Sequence, residues 1–436
     1  MVIYLQIFKD LFLIFTTLFI VYWFLKDYHI GLNLYLLLFA VIALLGLDRV
    51  IYFERIVIPI LLVIGLTVKY SRLDKINNLY LILFIFMLLN TYLNGLTLFD
   101  KSSDGIYLMG FSLLIFANYL FKKNTNAIHV VFFIWLILIG YLLNYILLSG
   151  NIFSIGKINL DERMVILDTG IVNGSGSGMD LNYFGCGQAI GAVITFIFIY
   201  YRKYLLSIIC IPSFLKNIFS SLFILIVLYL LLFIQIWLVL KGLSRGGLLV
   251  LLSGLFSFLI IQKKYKYLAF GGIILLLGYF IMIKIGIVDL LVQRMTNDAS
   301  GTSGRNLIWL GIINSVQAKG GVLQLILGCG NGWPWWKYWS ENSVGGGTIV
   351  STHNQWMSLL VSVGLIGLIL FFIPIINGIR DCIKNNNPIN EIRIILFVCV
   401  FIESMSLEPF VFARYVWFLL ALVTTYTPNI KKISRY

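Results

Sequence analysis

The chain has only three histidines, and one of them, His353, stands with Asn354 directly before an apolar run in "STHNQWMSLLVSVGLIG", Ser351 to Gly367. Imidazole is the side chain best suited to move a proton near neutral pH. Two arginines have comparable settings. Arg245 lies in "GLSRGGLL", at the junction of two apolar runs, and Arg305 lies in "SGRNLIWLG". Arg294 precedes Arg305 in the same polar stretch. A guanidinium keeps its charge at any relevant pH and grips phosphate oxygens through a planar fork. Gathered at the headgroup level of a membrane, these groups suit a lipid-linked phosphate or pyrophosphate donor attacked by a hydroxyl. Each residue also has a plainer role open to it. An arginine at a helix end anchors the helix to the interface. His353 and Asn354 can cap the helix that follows. Gly364 and Gly367 can let two helices pack closely. Beside Arg245, Gly246 and Gly247 permit close backbone approach, which favours a ligand.

The elements that must hold these residues are membrane helices. Hydrophobic residues make up 60% of the 436 and charged residues 11%, and mean hydropathy is +0.98. A soluble fold of this size needs far more charge on its surface. Apolar runs recur along the whole chain at about the length that crosses a bilayer core, roughly 20 residues, and the alternation of a β-barrel is absent. The expected fold is an all-α polytopic membrane protein with roughly 12 to 14 transmembrane helices. The first apolar run lacks a small-residue cleavage site after it and reads as a retained span.

The expected organisation is N-terminal transmembrane helices in 1–148, a first outer loop in 149–183, and central helices in 184–287. A large outer loop follows in 288–355, then C-terminal helices and a cytoplasmic tail in 356–436. The net charge of +14 does not imply nucleic acid, because Lys and Arg collect on the cytoplasmic side of membrane proteins. Lys122–Lys123, Arg202–Lys203, Lys263–Lys266, Arg380–Lys384 and Lys431–Arg435 mark that side. Arg245 and the two long loops then face outward. The five cysteines are scattered without CxxC, and HExxH is absent, so no metal site or disulfide framework is expected. No sequence repeat supports an inverted-repeat transporter.

Within the large loop, "RNLIWLGIINSVQ" has helical spacing, with Leu307, Leu310 and Ile313 or Ile312 on one face. "GNGWPWWKYW" holds four tryptophans within seven residues. It reads as an interfacial aromatic belt, with a sugar-stacking surface as the alternative. "GSGSGMDLNYFG" has the glycines of a phosphate cradle but follows no strand and lacks Lys-Ser/Thr, so a nucleotide site is not supported. In "ESMSLEPFVFAR", Glu403, Glu408 and Arg414 read as a structural Glu–Arg pairing ahead of catalysis, because intramembrane charges are usually paired.

His353, Asn354, nine residues, Gly364, two residues, Gly367 resembles the signature of the bacterial O-antigen ligase and polymerase superfamily. Further segments follow in the family's order. "MDLNYFG" is similar to its Asp-Pro-Asn-Tyr/Phe segment, with Leu181 in place of the usual proline. "SRGGLL" is similar to its Ser-Arg-Gly motif. "SGRNLIW" is similar to its Gly-Arg-x-x-x-Trp segment, and "LGCGNG" to the glycine-rich turn that follows. The set covers about Asp180 to Phe371; the N-terminal third matches only in hydropathy.

The resemblance implies a GT-C-type fold in the bacterial inner membrane, with the active site facing the periplasm. It implies glycan transfer from an undecaprenyl-pyrophosphate-linked oligosaccharide, with neither cofactor nor metal. Arg245 and Arg305 would hold the pyrophosphate, and His353 would be the catalytic base. Arg294, Asn354, Asp180 and Asn182 are supporting candidates, and Asp180 is the substitute base should His353 not serve. "SGRNLIW" and "MDLNYFG" favour a polymerase over a ligase that delivers to lipid A–core. A polymerase of this kind would be open to a chain-length regulator as partner. A flippase for lipid-linked sugars is the reading from a different class, and it would need a polar path through the bilayer.

Overall fold

The computed structural model describes residues 18–23, 75–93, 124–149, 181–208, 220–241, 244–266, 305–330, 354–385, 387–407 and 415–424, with isolated positions elsewhere. Every regular element among the described residues is a helix: α1 (Lys75–Leu93), α2 (Asn124–Ser149), α3 (Leu181–Tyr200), α4 (Arg202–Ile208), α5 (Leu222–Lys241), α6 (Arg245–Ile261), α7 (Arg305–Leu327), α8 (Gln355–Lys384), α9 (Pro388–Ser406) and α10 (Tyr415–Thr424). Three are long and apolar enough to cross a membrane: Asn182–Tyr200, Leu222–Leu240 and Gln355–Lys384. Four shorter apolar helices accompany them, Leu79–Leu93, Ile128–Leu143, Arg245–Ile261 and Tyr415–Thr424. Of the apolar runs that the sequence shows at span length, Leu32–Leu47, Ile56–Val68 and Leu268–Ile287 lie outside the described residues, or nearly so; residues 18–23 are described and helical within Leu11–Leu25, and only isolated positions are described in Ile106–Phe121.

The centre is built from α3, α6 and α9, each packed on the other two. α3 and α6 run parallel. Near their starts Gly185 meets Gly247 so closely that a Cβ on Gly247 would stand 2.8 Å from the Gly185 carbonyl carbon. At their far ends the Gln262 amide donates to the Tyr201 hydroxyl at 2.6 Å. α9 runs the other way. Near its start Glu391 accepts from the Tyr201 hydroxyl and from Gln262 at 2.6 Å. At its end Ser406 Oγ would lie 2.8 Å from a Cβ on Gly246. The bundle therefore has an Arg245 end and a Tyr201 end. Arg202, Lys263 and Lys264 adjoin the Tyr201 clasp in sequence. The amide of Asn390, in the first turns of α9, donates to Asn385 O just past Lys384, which brings the basic end of α8 to the same place.

The outer layer follows from composition. α10 is apolar on every side between Tyr415 and Thr424, and all of its residues are buried; a helix hydrophobic on every side belongs in a core. α5 is the reverse. Leu222, Phe223, Ile226, Tyr229, Leu230 and Phe233 are exposed, while Gln235 is buried and accepts from the Thr195 hydroxyl of α3 at 2.8 Å. The hydroxyl of Thr195 also accepts from Trp135 Nε1 of α2 at 2.7 Å. A helix that turns its polar group inward and its leucines outward is arranged for lipid, not water.

The sequence pattern reads Trp356–Ile376 as one continuous span, and here the structure differs. Gly364 sits within α8 at φ 67, ψ −176, a conformation that interrupts the helix. The ring of Trp356 lies 6.4 Å from that of Phe371 and 5.1 Å from that of Phe372. In a straight helix those residues would be about 23 Å apart along the axis. The lead segment Gln355–Val363 therefore folds back across the end of the segment that follows Gly364.

Candidate functional site

The site is assembled from helix starts. Ser244 caps α6, its hydroxyl accepting from Gly247 N at 3.1 Å, and Arg245 is the first helical residue and half-buried. Serine is a preferred cap because its oxygen takes an amide proton that the first turn cannot satisfy internally. Asn182, half-buried, is in the first turn of α3, just before the Gly185–Gly247 contact. A Cβ on Gly185 would also meet the Ser244 Cβ at 2.8 Å. The glycines of "LNYFG" and "SRGG" thus face each other and bring Asn182 and Arg245 to one end of the bundle.

α8 joins that end from another side. Asn354 caps it, its side-chain oxygen accepting from Trp356 N at 3.0 Å and Met357 N at 3.2 Å. The capping role expected as the plain alternative is real for Asn354, and its side-chain oxygen is occupied by it. Next to the cap, Gln355 N donates to Leu407 O at 2.9 Å, the residue after α9. Since Ser406 abuts Gly246, the starts of α3, α6 and α8 meet around the end of α9. His353, Asp180 and Arg294 lie outside the described residues; the first two directly precede residues of this convergence in sequence, Asn354 and the start of α3.

A second feature lies beside the first. The turn after α7 makes a backbone-to-backbone joint with the fold-back of α8. Cys329 N donates to Val361 O at 2.7 Å, and Gly330 N donates to Ser362 O at 3.0 Å. Gly328 and Gly364 both have positive φ, +88 and +67. A Cβ on Gly328 would meet Gly364 N at 2.5 Å, and one on Gly364 would meet Ile326 O at 2.3 Å. Only glycine fits at either position, for conformation and for space. "LGCG" and the first glycine of the His-Asn motif are thus two faces of one joint. Asn90 of α1 is its third member, with Nδ2 donating to Leu327 O at 2.7 Å and to Ser362 O at 3.4 Å.

Arg305 opens α7, and that helix packs on α8. The face differs from the one expected: Ile312 and Val316 are buried against Val361 and Cys329, while Leu310 is exposed. The docked joint claims the Ile312 side. Arg305 is thus carried by the α7–α8 unit, and Arg245 by the α3–α6–α9 unit.

Glu403 is wholly buried, and its Oε1 accepts from the Tyr415 hydroxyl at 3.4 Å. Arg414 and Glu408, the other members of the expected Glu–Arg pairing, lie outside the described residues. The tryptophans of "GNGWPWWKYW" also lie outside them. Among the described residues no three His, Cys, Asp or Glu side chains come together as a metal would require. No protein-family model, curated protein or solved structure matches the chain.

Proposed function

We propose that the chain is a surface-polysaccharide polymerase of the O-antigen ligase and polymerase superfamily. In this reading it is a multi-pass GT-C-type glycosyltransferase of the bacterial inner membrane. It transfers a glycan from undecaprenyl pyrophosphate to a sugar hydroxyl of another lipid-linked repeat unit, on the periplasmic face. The observation that carries the reading is the meeting of three motif-bearing helix starts. The "LNYFG", "SRGG" and "HNQ" segments are far apart in sequence, yet their helix starts pack together around the end of α9.

The chemistry follows from the residues. Arg245 and Arg305 hold the donor pyrophosphate by bidentate hydrogen bonds, which favours departure of the anionic leaving group. His353 takes the proton of the acceptor hydroxyl as that oxygen attacks the anomeric carbon. The bond from that carbon to the pyrophosphate oxygen breaks, and undecaprenyl pyrophosphate leaves with the electron pair. Asn354 sets the start of α8 and, through it, the direction from which His353 approaches. No cofactor takes part. The gathering of Arg202, Lys263, Lys264 and Lys384 at the Tyr201 end supports a cytoplasmic Tyr201 end and a periplasmic Arg245 end.

The test is transfer by purified protein in lipid, given an undecaprenyl-pyrophosphate-linked repeat unit as donor. Either a second such unit or lipid A–core is offered as acceptor. Elongated lipid-linked product is expected with the first. Product formed only on lipid A–core would make the protein a ligase and keep the chemistry. No product with either acceptor would overturn the reading.

A further inference from the structure

We propose that Asn90, on α1, is a positioning residue that holds the joint between the Leu327–Gly330 turn and the fold-back of α8, and so fixes the lead segment of α8 at the Arg245 end. The inference rests on the function proposed above for its kinetic readout, but not for its structural one.

The geometry has three parts. The lead segment Gln355–Val363 is separated from the rest of α8 by the Gly364 break, so the continuing helix does not fix its direction. Its far end is held by one described backbone bond, Gln355 N to Leu407 O. Its near end is held by Cys329 N and Gly330 N on Val361 O and Ser362 O. A helix broken at glycine leaves carbonyls without their usual amide donors. In an apolar setting those carbonyls must find donors elsewhere. Two come from the turn after α7. The third is Asn90 Nδ2, which reaches Ser362 O and also Leu327 O, one acceptor on each side of the joint.

Asn90 is nearly buried. Its neighbour Thr91 fills the space beside Gly330, where an added Cβ would stand 2.6 Å from the Thr91 Cα. α1 packs along α8 beyond the break, with Leu83 near Gly367 and the ring of Tyr80 6.5 Å from that of Phe371. The clamp therefore fastens the folded-back segment to an element registered on the straight part of α8. A side chain that bridges two backbones across a break is placed to set an angle rather than to add general stability.

Asn90→Asp and Asn90→Leu test this. Both keep the side chain's approximate size; the ionised aspartate has no donor for the two carbonyls, and leucine has none at all. Hydrogen exchange on folded protein in nanodiscs should show the Cys329 and Gly330 amides exchanging about tenfold faster or more. The amides of α3 and α9 should be unchanged. In the transfer assay the acceptor KM should rise several-fold and kcat should fall on the order of 10- to 100-fold. A merely structural defect lowers the amount of active enzyme and leaves KM where it was. Asn90→Ser, which retains one donor in a smaller side chain, serves if the larger changes do not fold, and should shift both readouts in the same direction. Unchanged exchange at Cys329 and Gly330 would overturn the clamp. Faster exchange with unaltered kinetic constants would overturn the positioning role. A wild-type protein that transfers no glycan would overturn the proposed function, and the exchange arm would still decide whether Asn90 holds the joint.

Discussion

At the scale of single residues, the capping job that the sequence left open between His353 and Asn354 belongs to Asn354. Asn354 is the cap, with its side-chain oxygen on two amides of α8. This frees the proposed role of His353 from the helix end and makes it testable by itself. Under the proposed mechanism, His353→Asn and His353→Ala should fold normally and lose transfer on the order of 10²- to 10⁴-fold, the usual weight of one positioned acid–base group. The measurement is single-turnover transfer with donor prebound. Near-normal rates in His353→Asn would end the base role and move attention to Asp180. The arginines call for a different substitution. Arg245→Lys and Arg305→Lys keep the charge and lose the fork, so donor binding should weaken in both. Equal polymer yield at equal expression would leave them as interfacial anchors.

At the scale of elements, two of the positive-φ glycines among the described residues, Gly364 and Gly321, predict a graded pair. Gly364→Ala must accept a left-handed backbone and place a Cβ 2.3 Å from Ile326 O. Gly321→Ala has nearly the same φ, +68, but no atom within 4 Å of its Cβ. The second should cost about 1–3 kcal/mol, for a backbone conformation that is nearly exclusive to glycine, and the first clearly more, because backbone atoms must also move. Thermal unfolding in one detergent compares them, and equal losses would mean that the joint yields easily. These elements were unequally legible. The apolar runs marked α1, α2, α3, α5, α6, α9 and α10 because span length is a one-dimensional property. The starts of α3 and α6 were legible for local reasons, glycine beside a polar or basic residue. The break at Gly364 was not, since a glycine in an apolar run reads equally well as a packing site. Asn90 was beyond reach: its acceptors lie 237 and 272 residues away, and nothing local singles it out in α1. The face of α7 was misjudged because spacing gives a helix but not which side will be covered.

At the scale of the whole molecule, the bundle is asymmetric in charge. The described basic clusters lie toward the Tyr201 end, and Arg245, Asn182 and Asn354 lie toward the other. Between the ends, α3, α5 and α10 carry no charged residue before the closing Lys241 of α5. Some of the polar groups inside meet in pairs, such as Trp135 with Thr195 and Thr195 with Gln235, and the buried charged residues of α9, Arg393 and Glu403, lie toward opposite ends of that helix rather than along one route. A transporter of a pyrophosphate-bearing headgroup needs groups along its route that replace water around the anion, whereas an enzyme working at one face needs them only there. The distinction can be measured in sealed vesicles with the protein inserted in one known orientation. Fluorescent donor is confined first to the leaflet at the Arg245 end and then to the opposite one. Transfer should occur only in the first case, and the donor should remain in its leaflet in both. Chelator should leave the rate unchanged, because arginine rather than a divalent cation is proposed to carry the pyrophosphate charge. Donor crossing between leaflets at a protein-dependent rate, with no new glycosidic bond, would make the convergence of helix starts an outer gate and the protein a flippase. Transfer from both leaflets would instead mean that the convergence at the Arg245 end is not where the reaction takes place.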